Sequence, residues 1–187
     1  PDLFDTFKLV VDDEKAPTKY RMDGAWKEFE RKQIKYNVLK NAALVPVERT
    51  ALASVHGPVY VTDKGVFALS YVGKGDFKHL DQYLAINMAK TVDDWRAAQI
   101  KYNAIPSVNY IVGDSKGGIA YFWNAHMPKR ESGWDRAKVL PGDISETLWK
   151  GWEPASALPS VIRPKSGYIV NANHSPLLVS GPQDNPK

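Results

Sequence analysis

Hydrophobic and polar positions alternate through residues 4–11, placing Phe7, Leu9 and Val11 on one face. A period of two marks a strand with one buried side. Tyr20 and Met22 lead into Asp23-Gly24 and then Ala25 and Trp26, a pair suited to the φ > 0 corners of a type I′ turn, so a hairpin is predicted there. Ile34, Tyr36 and Val38 alternate in a charged stretch, and Val45 to Val55 continues extended across Pro46, which places that proline at an edge or a bulge. A second hairpin pairs Val59–Thr62 with Val66–Tyr71 around Asp63-Lys64-Gly65. The period then changes. From His79 to Met88, Leu80, Tyr83, Leu84 and Met88 follow helical spacing as the apolar, core-facing stripe, and Val92, Trp95 and Ala98 to Ile100 predict a second helix with Thr91 as N-cap. Pro106 stops this helical pair, near residues 78–101, and a third hairpin joins Val108–Val112 to Ile119–Trp123. Residues 129–165 show no period and read as a long irregular segment that wraps another surface. Gly167 to Ala172 is the last strand candidate. The fold class is α+β, mostly antiparallel strands and hairpins, with residues 1–187 forming a single domain or part of one.

Composition narrows the function classes. The 187 residues carry 25 Lys+Arg against 21 Asp+Glu, a net charge of +4, and are 43% hydrophobic and 25% charged, which excludes a disordered tail. The basic residues are scattered with no run that tracks phosphates, so no nucleic-acid partner is expected. No apolar run approaches the roughly 20 residues needed to span a bilayer, and no membrane partner is expected either. Cysteine is absent, which removes disulfides, thiolate metal sites and a Cys nucleophile.

Several stretches carry more information in their order than alone. FDTF at Phe4–Phe7, SVHGP at Ser54–Pro58, TVDDW at Thr91–Trp95, IPSVNYIVGDSKGGIAY at Ile105–Tyr121, then PKR, SGW, WKGWEP and finally SGYIVNANHSP at Ser166–Pro176 together resemble the penicillin amidase family of N-terminal nucleophile hydrolases. The resemblance covers most of the chain. It implies part of an αββα sandwich, a precursor cut into two chains, and hydrolysis of the amide between an acyl group and an amine, of β-lactam side-chain or N-acyl-homoserine lactone type, in the periplasm or outside the cell. In that chemistry a new N-terminal serine attacks the amide carbonyl with its own α-amino group as base. Position 1 here is Pro1 and no serine matches the nucleophile. The expectation is therefore an internal piece of the large chain, inactive alone, whose partners are the small α chain and the N-terminal part of the large chain.

By motif position the resemblance makes Asn173 the oxyanion-hole donor. Amide hydrolysis builds charge on the former carbonyl oxygen, and a fixed carboxamide NH₂ stabilises it. The plainer alternative is that Asn173 caps a turn before Ser175-Pro176. On a strand Asn171 shares its face and supports it, whereas His174 points elsewhere and is read as a surface residue. Tyr83 and Val108 match acyl-pocket positions, although their spacing equally suits packing. No cofactor is required for the chemistry. The resemblance also implies a structural calcium held by Asp2, Asp5, Asp184 and the Phe4 carbonyl, oxygen ligands that suit a hard cation. Asp2 and Asp5 lie three apart, so they converge only where the backbone leaves strand geometry.

Two other readings compete. Trp134, Trp149 and Trp152 allow a non-catalytic β-rich module that binds flat ligands through exposed aromatic faces. Pro1 could itself be a catalytic secondary amine, but nothing nearby resembles a site built around it.

Overall fold

The computed structural model describes residues 3–75 and 77–186. The chain packs as two compact units, one formed by the segment up to Tyr71 with Arg130–Lys150, the other by Val72–Lys129 with the segment from Gly151 onward.

In the first unit a six-stranded sheet runs in the order β10-β1-β7-β6-β5-β4, where β1 is Phe4–Lys8, β4 Glu30–Lys40, β5 Ala43–Ala53, β6 Pro58–Thr62, β7 Gly65–Tyr71 and β10 Leu140–Pro141. β2 (Lys19–Met22) and β3 (Ala25–Glu28) form a separate hairpin. Its corner residues Asp23 and Gly24 have φ of 50° and 80°, the type I′ geometry that the Asp-Gly pair predicts. Phe7, Leu9, Tyr20, Met22, Phe29, Val66, Ala68 and Leu140 make the core, so the alternation along β1 is realised as buried Phe7 against exposed Lys8. Gly142 follows β10 because a Cβ there would meet Leu9 Cδ2 at 2.6 Å and the Lys8 carbonyl at 2.7 Å.

β4 and β5 extend as one long hairpin around Asn41 and Ala42, both with positive φ. β5 reaches β6 only at Leu52 and Ala53, so Pro46, paired with Asn37 on the β4 side, lies where β5 has no second ladder, as a missing N–H requires. Ile34, Tyr36 and Val38 share a face with Val45 and Val47 through the pairs Tyr36↔Val47 and Val38↔Val45. Ile34, Tyr36, Val38 and Val45 are all exposed.

The second unit holds the three-stranded antiparallel sheet β11-β9-β8, with β8 Ser107–Gly113, β9 Ile119–Ala125 and β11 Ser160–Ile162, and two helices, α1 His79–Met88 and α2 Val92–Tyr102. α2 starts in a capping box: the Thr91 side chain accepts the Asp94 N–H while the Asp94 carboxylate accepts the Thr91 N–H. It ends at Asn103 in the left-handed conformation. Asp114 closes the β8–β9 turn by accepting the N–H groups of Lys116 and Gly118, and also that of Val92 at the start of α2. These bonds, the Val92 N–H first, hold its carboxyl below the usual carboxylate range.

The sheet has two different faces. Val108, Tyr110, Val112, Ala120 and Phe122 meet the helices through Ile86, Val92, Trp95 and Ala98, with Trp95 stacked on Phe122 at 4.7 Å. On the other face Tyr121 and Trp123 pack with Val161, Ile169 and Val179.

The α1 bounds agree with the predicted helix, but the predicted inward face is wrong. Leu80, Tyr83, Leu84 and Met88 are exposed, and the buried residues of α1 are Gln82 and Ile86. Gln82 wins the interior because its amide is fully used: Oε1 accepts the N–H groups of Ala104 and Ile105, and Nε2 donates to Asn124 Oδ1 at 2.7 Å. Asn124 in turn donates to the Ile105 carbonyl. A satisfied buried amide costs little, whereas an orphaned one costs about 1–3 kcal/mol. Gln82→Leu, which leaves both N–H groups without acceptors, is expected to lower the unfolding free energy by about 2 kcal/mol or more, measured by denaturant titration.

Residues 129–165 contain β10, β11 and short 3₁₀ turns at Ser145–Thr147 and Ala155–Ala157, and the stretch is shared between the two units. The strand predicted over Gly167–Ala172 does not form. Its alternation is real, with Ile169 packed inward and Tyr168 and Val170 exposed. No neighbouring strand of the described residues offers a ladder. Val170 N–H reaches the Val179 carbonyl, and the returning chain is tied by side chains instead, Ser180 Oγ to the Tyr168 carbonyl and Asn185 Oδ1 to the N–H groups of Val179 and Ser180.

Candidate functional site

Asn173 sits in this looped segment with φ of 61°, the left-handed conformation that asparagine tolerates better than most residues. Three local bonds hold the loop. Asn173 N–H donates to Asn171 Oδ1 at 2.9 Å, Ala172 N–H donates to His174 Nδ1 at 3.1 Å, and His174 Nε2 meets the Leu178 carbonyl at 2.6 Å. Asn171 therefore supports Asn173 through its backbone, in an Asx turn, and not by sharing a strand face. With Nε2 facing a carbonyl and Nδ1 accepting, His174 is the Nε2–H tautomer and serves the turn.

The Asn173 side chain is exposed at the surface of the second unit, yet its carboxamide is held. Asn109 Nδ2 donates to Asn173 Oδ1 at 3.1 Å, and the Tyr121 hydroxyl donates to Asn109 Oδ1 at 2.6 Å. Asn173 Nδ2 has no hydrogen bond among the described residues. The arrangement presents a carboxamide N–H₂ with its oxygen already committed, suited to meet an oxygen that carries negative charge. Asn109 and Tyr121 escaped the sequence reading because each looks like an ordinary position of a β-hairpin. The signal available was their presence together in the Ile105–Tyr121 stretch.

Val108 and Asn109, being successive on β8, face opposite ways. Val108 packs on the helix side and Asn109 on the side of Asn173. Tyr83 projects from α1 beside Tyr110, whose phenol is pushed up to about 12, by burial first and then by Tyr83. Tyr83 and Val108 thus belong to the helix side of the sheet.

In the first unit Asp5 is 1% exposed on β1. Its Oδ2 receives Arg130 Nε at 3.1 Å, Arg136 Nη1 at 3.2 Å and Trp149 Nε1 at 2.6 Å, while Oδ1 has no hydrogen bond among the described residues. Arg130 and Trp149 fall within the PKR and WKGWEP stretches, so those stretches and FDTF meet at one buried carboxylate, which Arg130 and Arg136 neutralise and Trp149 hydrogen-bonds. Asp184 belongs to the second unit, where its carboxylate accepts the N–H groups of Ser166 and Lys165. Those bonds, Ser166 first, keep its carboxyl below the usual range. Asp2 lies outside the described residues. Among the described residues no three His, Asp or Glu side chains gather to hold a metal. For a hard cation the fit is therefore partial: the orphaned Oδ1 of Asp5 suits one, and Asp184 is already engaged.

The three indoles proposed as a binding surface are engaged internally. Trp134 packs on the core of the first unit, Trp149 binds Asp5, and Trp152 lies against His126 with ring centroids 3.6 Å apart. Of the three, only Trp152 keeps a largely exposed face, so the flat-ligand module loses Trp134 and Trp149 as a surface.

The chain was compared with known proteins. A model of the family described as "Penicillin amidase" matches residues 1–185. The chain is similar to penicillin G acylase of Escherichia coli, 32% identical over 130 residues, which is 68% of this chain and 15% of that protein. It is similar to aculeacin-A acylase of Actinoplanes utahensis, 25% identical over 193 residues, covering 88% of this chain and 24% of that protein. Among solved structures it resembles a thermostable penicillin G acylase from Alcaligenes faecalis with a TM-score of 0.78 and 25% identity, over 94% of this chain and 31% of that one. This chain thus spans less than a third of the length of each.

Proposed function

The chain belongs to the penicillin amidase family and has its N-terminal nucleophile hydrolase fold, and from that premise we propose that it is one section of a larger acylase that hydrolyses the amide between an acyl group and an amine. Its contribution is the donor to the oxyanion. A serine elsewhere in the larger protein attacks the amide carbonyl, its α-amino group takes the proton, and the charge that develops on the carbonyl oxygen is met by Asn173 Nδ2. The observation that supports this is the committed Oδ1 and unengaged Nδ2 of Asn173. Tyr83 and Val108 stand on the helix side of the sheet, opposite the face that carries Asn109 and Asn173, and no acyl contact is assigned to them. Relatives named for penicillin and for aculeacin leave the acyl group open between β-lactam side-chain, N-acyl-homoserine lactone and other acyl amides.

The partners proposed are the small α chain and the N-terminal part of the large chain. Support comes from exposed apolar side chains: the Ile34, Tyr36, Val38 and Val45 face of the β4–β5 hairpin, and the Leu80, Leu84 and Met88 stripe of α1. A structural calcium is proposed at Asp5, with Asp2 and the Phe4 carbonyl as further oxygen ligands, supported by the orphaned Oδ1. Its role is to neutralise and tie down backbone, and no chemical step passes through it.

The test is a panel of phenylacetyl amides, long-chain acyl amides and N-acyl-homoserine lactones, with release of free amine as readout. The full-length processed protein is expected to turn over at least one class, and the 187-residue chain alone none. Hydrolysis by the isolated chain, or a processed parent silent on every acyl amide, overturns the reading.

A further inference from the structure

A carboxamide can present either its NH₂ or its oxygen to a substrate, and the two are related by a half-turn about Cβ–Cγ. Toward an oxygen gaining negative charge only the NH₂ is useful, and the oxygen is repulsive. The polarity of Asn173 therefore matters as much as its position. We propose that Asn109 and Tyr121 are positioning residues that set this polarity, acting as a one-way hydrogen-bond relay behind Asn173. The inference rests on the oxyanion role proposed above.

The relay starts at Tyr121, which is fully buried on β9. β8 and β9 pair with Ile111 opposite Tyr121 and Asn109 opposite Trp123, which makes Asn109 and Tyr121 diagonal neighbours on one face, within reach of a long side chain. Their contact is 2.6 Å. In that contact the hydroxyl is the donor and Asn109 Oδ1 the acceptor. The Tyr121 hydroxyl thus faces the oxygen of Asn109, not its nitrogen. Burial pushes the phenol up to about 12, so it keeps its single proton and has one direction in which to donate.

Each later step follows from donor and acceptor counts. With Oδ1 of Asn109 taken by Tyr121, its Nδ2 points toward Asn173, 3.1 Å away, and there it finds a partner only in an oxygen. Asn173 must then turn Oδ1 inward and Nδ2 outward. The Asn171 carboxamide completes the arrangement by holding the Asn173 N–H, which fixes the direction in which the side chain leaves the backbone. Both ends of the Asn173 residue are held by the amides of other asparagines, and the one group left over is the donor.

Three variants of the full-length acylase test this, each made alone and combined with Asn173→Ala, with circular dichroism and melting to confirm the fold. Asn109→Asp keeps an acceptor for Tyr121 but has no proton for Asn173 Oδ1, and its carboxylate attracts the Asn173 NH₂ inward. It is expected to lower kcat by about 10²-fold, close to loss of the donor itself, with KM unchanged. Asn109→Ala and Tyr121→Phe leave the amide free to take either polarity and are expected to lower kcat several-fold, again without a KM change. None of the three should lower kcat further once Asn173 is alanine, because residues acting as a unit are non-additive. Wild-type kcat in Asn109→Asp, or full additivity with Asn173→Ala, or a loss that appears in KM and melting instead of kcat, overturns the relay while leaving the oxyanion role in place. If Asn173→Ala itself keeps wild-type kcat, it is the oxyanion role that fails, and the relay falls with it.

Discussion

Replacing Asn173 with alanine in the full-length acylase is expected to lower kcat by about 10²- to 10³-fold while the protein still folds, with a small fall in melting temperature because alanine is strained at a φ of 61°. The side chain is exposed and holds no buried group in place, so its removal costs the folded state little. Asn109 Nδ2, its bonded neighbour, is itself only part-buried and can turn to water. The loss falls instead on the transition state, where one preorganised donor to an oxyanion is worth about 3–4 kcal/mol. An effect confined to that stage lowers kcat and kcat/KM together. Asn173→Asp should be at least as poor, since it sets a carboxylate against the developing charge. Near-normal turnover in both would end the assignment of Asn173 as donor.

Asp5→Ala is expected to destabilise the protein by about 3–5 kcal/mol, the range for breaking a buried ion pair from one side. The argument lies in what remains. Arg130 and Arg136 have side chains only 14% exposed and lose their shared counter-charge, and Trp149 Nε1 loses its acceptor. For a domain of this size such a loss corresponds to a fall in melting temperature on the order of 10 °C. Calcium adds a second measurement. If the orphaned Oδ1 helps hold a cation, a chelator lowers the wild-type melting temperature and leaves Asp5→Ala unmoved. A change below about 1 kcal/mol in Asp5→Ala would contradict the account of the cluster.

Much of the secondary structure was legible because local chemistry determined it. Asp23-Gly24 demands positive φ, Thr91 and Asp94 close a capping box, and Pro106 halts α2 before β8. Where tertiary context decides, periodicity misled. The Leu80, Tyr83, Leu84 and Met88 stripe looked like a core face, but a glutamine occupies the interior because two backbone N–H groups and an asparagine await it there. Gly167–Ala172 alternates as a strand should, yet a strand needs a neighbour, and among the described residues it has none. The site divides in the same way. The proposed donor Asn173 comes from its motif alone, whereas Asn109 and Tyr121 are 64 and 52 positions away along the chain and reach it through strand register. Asp5 entered the sequence reading as a cation ligand, while its arginine and tryptophan partners lie more than 120 residues downstream, and no spacing rule connects them.

The β4–β5 hairpin bears on how the isolated chain would behave in a test tube. β4 ends the sheet, and Arg31, Lys32, Lys35 and Lys40 line that open border. Repulsion between cations discourages strand-by-strand growth, the route to fibrils. On the face of Ile34, Tyr36 and Val38 only Lys32 and Lys40 stand guard, one at each end of the greasy flank. Clumping should therefore be amorphous, promoted by salt that screens the lysines, and relieved by a single lysine introduced at Tyr36.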